Sequence, residues 1–305
     1  MEVIRVKPTK EVKSVSQFID YVMKWKRAGV KPTAFRGQSF YGWPIKPKIF
    51  RQGLNIYENE GQAIRDVISL HPSEFDGDKT MFDRLVRMQH FGLPTRLLDV
   101  TINPLVALWF ASEKYIYDGD NKSVRRVAQG GRITAYFVPV ERQKYYDSDT
   151  VSCLANIANL RLEQKDELFE LASLSNDREE FNTEDVVDYL CYHVGMEKPH
   201  FRKVIKPEDL LFPIYVKPKL NNKRIVAQSG AFVLYGSRNY TPSSNPTPIP
   251  ARSIFIPPSA KERIRRELET LGIHESTIFP DIERTSKFVT MRYQNALNDR
   301  VNELL

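Results

Sequence analysis

What the chain lacks narrows its class first. It has two cysteines, Cys153 and Cys191, too few for a disulfide framework, so a reducing, cytoplasmic setting is the expectation. No run approaches the roughly 18 consecutive apolar residues that span a bilayer, so no membrane partner is expected. The opening MEVIRVKPTKEVKSVSQF has no apolar stretch of the kind that marks a secretory leader. The five histidines show no HxxxH spacing and there is no CxxC, so no metal site is predicted. A GxxxxGK(S/T) phosphate loop, a GxGxxG dinucleotide turn and a GxSxG elbow are all missing. Those absences remove the commonest nucleotide-hydrolase, Rossmann and α/β-hydrolase readings. The pair Gly130-Gly131 precedes a strand pattern instead of opening a helix, and reads as a turn.

What is present is the make-up of a globular protein: 305 residues, 41% hydrophobic and 27% charged, enough for one large domain or two intimately joined ones. The formal charge of +7 eases contact with polyanions, which opens nucleic acid as a partner class. This excess reads as a property of the whole chain rather than of one tract.

Along the chain, SVSQFIDYVMKWKRA has Phe18, Val22 and Trp25 at helical spacing, with Ser14 or Ser16 able to cap. TAFRGQ reads as a short strand, and WPIKPKIFR as a loop held open by two prolines. Helices are predicted over 58–70 and 79–91, then an extended stretch through 95–100. Asn103-Pro104 is a helix start, with Asn as cap and Pro in the first position, and LVALWFA should be buried all round. A basic loop over 118–131, a strand in RITAYFVPV and a mainly helical block over 150–195 follow. LLFPIYVKP and RIVAQSGAFVLYG read as strands joined by a turn at Asn221-Asn222, and 236–252 as a long proline-rich loop. Ser259 and Glu262 match a capping box for KERIRRELETLG, with Ile264, Leu268 and Leu271 facing the core and Gly272 ending the helix. A last helix is predicted from Asp281. Strands and helices mix without βαβ alternation, so the fold class is α+β, with central mixed or antiparallel sheets and surrounding helices.

The densest polar cluster, MQHFGLPTRLLDVTINPLVALWFA, abuts the most apolar helix. Arg36 carries a planar fork suited to phosphate or carboxylate, and Gly37 lets another backbone or a ligand come close. Arg36 equally suits a structural bridge to Asp99. His90 falls near the end of its helix, where the dipole favours the protonated form. Thr95, Asp99 and Thr101 share one side of an extended segment and Arg96 the other. Such groups line a cleft for a sugar or phosphate, or else satisfy buried backbone around a bend. Either way they need a dedicated network.

Phe35-Arg36-Gly37, the 88–111 segment, RIVAQSGAF (224–232) and LETLGIHESTIFPDIE (268–283) closely resemble the FRG domain, a bacterial and phage-associated family. The resemblance implies an FRG domain over 31–290 with a helical insertion at about 145–200, a helical lead-in over 1–30 and a helix end over 291–305. At greater distance, the order of features resembles an ADP-ribosyltransferase core. That likeness implies NAD as substrate, held by Arg36 and Gly37, with Thr95, Arg96 and Thr101 lining its pocket. It puts Gln228 on a late strand where that fold keeps a catalytic glutamate, and this chain has no Ser-Thr-Ser strand. His90, Asp99 or Glu60 would then supply acid–base function. An NAD-using toxin or phage-defence effector acting on a protein or nucleic-acid acceptor is the expectation. A nucleic-acid-binding or processing protein, and a non-catalytic interaction or sensor module, are the alternatives.

Overall fold

The computed structural model describes residues 10–282 apart from 30, 52, 118–126, 176 and 239–248, together with 286 and 290. Among these residues ten strands form: β1 (Lys10–Glu11), β2 (Ala34–Gln38), β3 (Leu97–Thr101), β4 (Ile116–Tyr117), β5 (Val127–Ala128), β6 (Gly131–Tyr136), β7 (Gln143–Tyr145), β8 (Ile214–Lys217), β9 (Gly230–Leu234) and β10 (Ala251–Ile256). Eight make one mixed sheet in the order β1-β10-β6-β2-β3-β9-β8-β7, and β4 pairs with β5. Within the large sheet the pairs β1–β10 and β7–β8 are parallel and the rest antiparallel. With helices packed on it, this is the α+β class that the unalternating pattern predicts.

The sheet is nearly cut in two at its centre. β2 meets β3 through the single register pair Phe35–Thr101, whereas β2–β6 and β3–β9 share five pairs each. Two four-stranded halves therefore diverge from one point.

Alternation then sorts the side chains. On the front, Phe35, Ile133, Ala135, Ile254 and Ile256 pack with the helices Val15–Arg27, Pro104–Ala111 and Lys261–Thr270. On the front of the other half, Leu97, Ile214, Val216, Phe232 and Leu234 pack with Met81–His90 and the helical block. The rear face, with Ala34, Leu98, Val100, Tyr136 and Val233, is covered by Ile45 and Phe50 of the loop after β2.

Asn103 caps the Pro104–Ala111 helix as predicted, its Oδ1 accepting from Leu105 N at 2.9 Å. Ser14 does the same for the first helix through Gln17 N at 3.2 Å. The glycine of Phe-Arg-Gly answers a backbone, not a side chain. A Cβ on Gly37 would stand 1.9 Å from the Ala107 carbonyl oxygen, so only glycine lets this helix lie on β2.

Several expectations need correction. RIVAQSGAFVLYG is not one strand. Asn222 caps a helix, Lys223–Ala227, accepting from Arg224 N at 2.8 Å, and β9 starts only at Gly230 after Ser229 turns at φ 47°. The cap overrides the strand preference of Ile225 and Val226. LLFPIYVKP likewise divides, its leucines ending the helix Pro207–Leu211 before β8 begins. The Ser259–Glu262 box does not form, because Ser259 lies in the 3-10 turn Pro258–Ala260 and Ala260 is the cap. Leu271 is 55% exposed, beyond the last buried turn. Most of the basic loop (118–126), the proline-rich loop (239–248) and the helix after Asp281 lies outside the described residues. Among the described residues no helix is long and apolar enough to cross a membrane.

Candidate functional site

Where β2 and β3 diverge, a cleft of about 220 Å³ opens on the front face. β3 and β9 give its floor through Asp99, Thr101 and Phe232. Val106 and Phe110 of the apolar helix make one wall, and Val86, Gln89 and His90 another. Arg36 and Gly37 edge it from β2, and Asn222, Arg224 and Gln228 close it from the helix before β9. Six of the residues singled out from sequence thus meet in one place: Arg36, Gly37, His90, Asp99, Thr101 and Gln228. Thr95 and Arg96 do not line it.

The bridge expected between Arg36 and the Asp99 carboxylate is absent. Arg36 Nη1 donates instead to the Asp99 main-chain carbonyl at 2.6 Å. Alternation sends Arg36 toward the rear, so its guanidinium lies in the gap where a ladder bond would have been. Its Nε is buried and makes no hydrogen bond. The Asp99 side chain is held from another direction, Oδ1 accepting from Gln89 Nε2 at 2.7 Å. Gln89 is fixed in turn by the Thr95 hydroxyl, which donates to its Oε1. Thr95 therefore acts on the cleft through Gln89, one step removed.

Thr101 is committed to the backbone, donating to Gln228 O at 2.7 Å and accepting from Asn103 N at 2.9 Å. It pins the start of the apolar helix against the turn into β9. Gln228 is not on a strand. It caps the C-terminus of Lys223–Ala227, and its Nε2 donates to Ile278 O at 3.2 Å.

His90 reverses its expected electrostatics. Burial pushes its pKa down, Arg224 and Arg87 push the same way, and Asp281 opposes them. The helix dipole is outweighed and the neutral ring is favoured. Its Nδ1 lies 3.3 Å from Asn222 Nδ2; with the amide donating, Nδ1 is the acceptor.

Arg96 is fully buried elsewhere. Its Nε donates to Glu60 Oε1 at 2.9 Å and its Nη2 to Oε2, while Nη1 reaches Gly236 O at 3.0 Å and Tyr235 O at 3.3 Å. Lys165 Nζ completes the cluster at 2.8 Å from Glu60 Oε2. Burial alone would raise the Glu60 carboxyl, but Arg96 and Lys165 overcome it and hold the group below the usual range. Glu60 is sealed by two cations and has no path to the cleft as a base.

Sequence reasoning passed over Gln89, Asn222, Arg224 and Arg51. Gln89 neighbours His90 in the sequence, and Asn222 carried a cap signal ahead of Lys-Arg-Ile-Val. Arg224 lies over the Phe279 ring at 4.8 Å. Arg51 is close enough to Arg36 and Asp99 to feel both: burial lowers its pKa, Arg36 lowers it further, and Asp99 raises it. Among the described residues no three His, Cys, Asp or Glu side chains group as a metal ion would require.

Residues 31–119 match the family model of the FRG domain. No curated protein and no solved structure matches the chain. The matched segment runs from the approach to β2 past the apolar helix, and so contains Arg36, Gly37, His90, Asp99 and Thr101. The arginine that fills the sheet's central gap and the glycine that admits the helix are the Phe-Arg-Gly of that match, and residues 31–119 of the chain are similar to the FRG domain.

Proposed function

We propose that the cleft binds NAD and that the protein is an ADP-ribosyltransferase-like enzyme, a toxin or phage-defence effector in the setting the family likeness suggests. One observation carries the reading: Arg36, His90, Asp99 and Gln228, distant in sequence, line one cleft at the split of the sheet. Arg36 stands in the lining, and its planar guanidinium suits a diphosphate. Phe110 and Phe232 give the lining apolar aromatic surface for a flat base. At about 220 Å³ the space falls below the roughly 300–1,000 Å³ of drug-sized pockets, so it suits one nucleoside half, the phosphates lying toward Arg36.

Among the described residues Asp99 is the one carboxylate in the lining, already oriented by Gln89. In the proposed step the ribose C1′–N bond breaks, and its electron pair leaves with nicotinamide, neutralising the pyridinium. The positive charge passes to the ribose, which Asp99 stabilises. The acceptor's nucleophile then bonds C1′ and gives its proton to Asp99. Gln228, turned to Ile278 O, takes no part in proton transfer.

A second reading, a non-catalytic interaction or sensor module, draws on the Arg36–Asp99 carbonyl contact, which joins the two half-sheets. Thermal shift with NAD, and nicotinamide release with protein and nucleic-acid acceptors, separate the two. Under the enzyme reading Arg36→Ala folds and loses the NAD shift. Asp99→Asn keeps the shift and loses about a hundredfold or more in release. Absence of both shift and release from the wild type removes the enzyme reading, and an Arg36→Ala chain that cannot fold favours the module.

A further inference from the structure

The positive excess is not a property of the whole chain. Residues 21–57 hold eight Lys or Arg and no Asp or Glu. The chain has 45 cations and 38 carboxylates, so everything outside this tract holds 37 against 38 and is neutral to within one charge. Arg36 and Arg51 bond to carbonyls, at 2.6 Å to Asp99 and 3.4 Å to Lys46. Among the described residues neither they nor Lys46 and Lys48 have a carboxylate within ion-pair distance.

The same tract supplies rings. Phe40 stacks on Tyr115 with centroids 5.2 Å apart, and Trp43 meets Tyr115 at 4.9 Å and Phe40 at 6.0 Å. All three are half-exposed and belong to none of the buried clusters. Trp25 and Trp109 are 5% and 3% exposed, so Trp43 is the tryptophan that meets solvent. The platform is held rigid from below. Ile49 is buried, Ile45 and Phe50 pack on the rear face, and Arg132 lies over Tyr41 at 4.2 Å while donating to Trp43 O at 3.4 Å.

Cations outside ion pairs, interleaved with partly exposed rings on a packed loop, suit a strand that offers phosphates and flat bases together. An acidic protein surface would use the charges and leave the rings idle. We propose that the 40–51 loop binds single-stranded nucleic acid, Lys46 and Lys48 contacting phosphates while Trp43 and Tyr115 stack on bases. The claim is independent of the cleft's chemistry, and Arg36 is not needed to test it.

The test is fluorescence anisotropy of the full chain with a labelled oligonucleotide of about 20 thymidines, at about 50 and 200 mM salt. Binding should quench tryptophan emission, because Trp43 is the tryptophan that is not buried. Lys46→Glu with Lys48→Glu, the first half-buried and the second exposed, should weaken binding at least about tenfold. It should also flatten the slope of log affinity against log salt by about 1.4, from about 0.7 per phosphate contact. Trp43→Ala should cost about tenfold and leave that slope unchanged. Melting curves matched to wild type establish that the variants fold. No binding at the lower salt, or a lysine double variant that binds like wild type, overturns the proposal. So does equal affinity for a duplex, or binding to phosphatidylserine vesicles without the oligonucleotide. A protein that binds the strand yet neither shifts with NAD nor releases nicotinamide removes the cleft reading and leaves this one standing.

Discussion

His90 is the residue whose chemistry depends most on its surroundings. Exposed at a helix end it would gain a proton easily, yet burial and Arg224 favour the neutral ring. The sign of the consequence follows from linkage. The folded pKa lies below the ordinary 6.5, so as pH falls from neutral the unfolded chain takes up a proton first. Stability is thus lost as pH drops through 6.5, and the loss stops once folded His90 protonates as well. His90→Gln should flatten this portion of the melting-temperature profile below pH 6.5 and leave the profile above pH 7 unchanged. Identical acid limbs for both proteins would show that His90 contributes nothing there.

At the scale of elements, the central contact is a helix carbonyl against a strand glycine. Gly37→Ala puts a Cβ 1.9 Å from Ala107 O, and the neighbour is backbone that cannot swing away. The helix must lift off β2, at an expected cost of about 3 kcal/mol in urea denaturation, the upper end for overpacking. Gly77→Ala, where a Cβ meets nothing within 4 Å, is the control and should fall within about 0.5 kcal/mol of wild type. If the two variants melt alike, the glycine has no packing role. This contact was half legible in the sequence: Gly after Arg announces a close approach, without saying whether a backbone or a ligand arrives. Asn103-Pro104 was wholly legible because a cap is local. The division of RIVAQSGAF was not, since Ile and Val read as strand and the cap on Asn222 wins only with the turn at Ser229 in place. The cleft was legible as a set of residue types and illegible as a network. Thr95 reaches Asp99 through Gln89, and no spacing rule reveals a relay of that kind.

For the molecule as a whole, the decisive ion cluster lies away from the cleft. Glu60, Arg96 and Lys165 come from three separate parts of the chain, 36 residues separating Glu60 from Arg96 and 105 separating it from Lys165, so no local pattern could pair them. Arg96 stands immediately before β3 and also holds the carbonyls of Tyr235 and Gly236 just beyond β9, so the cluster anchors the half-sheet that floors the cleft. Glu60→Gln leaves two cations buried without a carboxylate, and breaking such a cluster costs about 3–5 kcal/mol. The pH dependence gives the change a signature of its own. Because Glu60 titrates below its ordinary 4.5 in the folded protein, its contribution is complete above that pH and is lost as pH falls through the folded value. Glu60→Gln should therefore be less stable at neutral pH, with a shallower fall in melting temperature below pH 4.5. A variant as stable as wild type at pH 7 would mean that the cluster does not hold the half-sheet. The cleft's geometry would then have to rest on the Thr101 and Gln89 contacts alone.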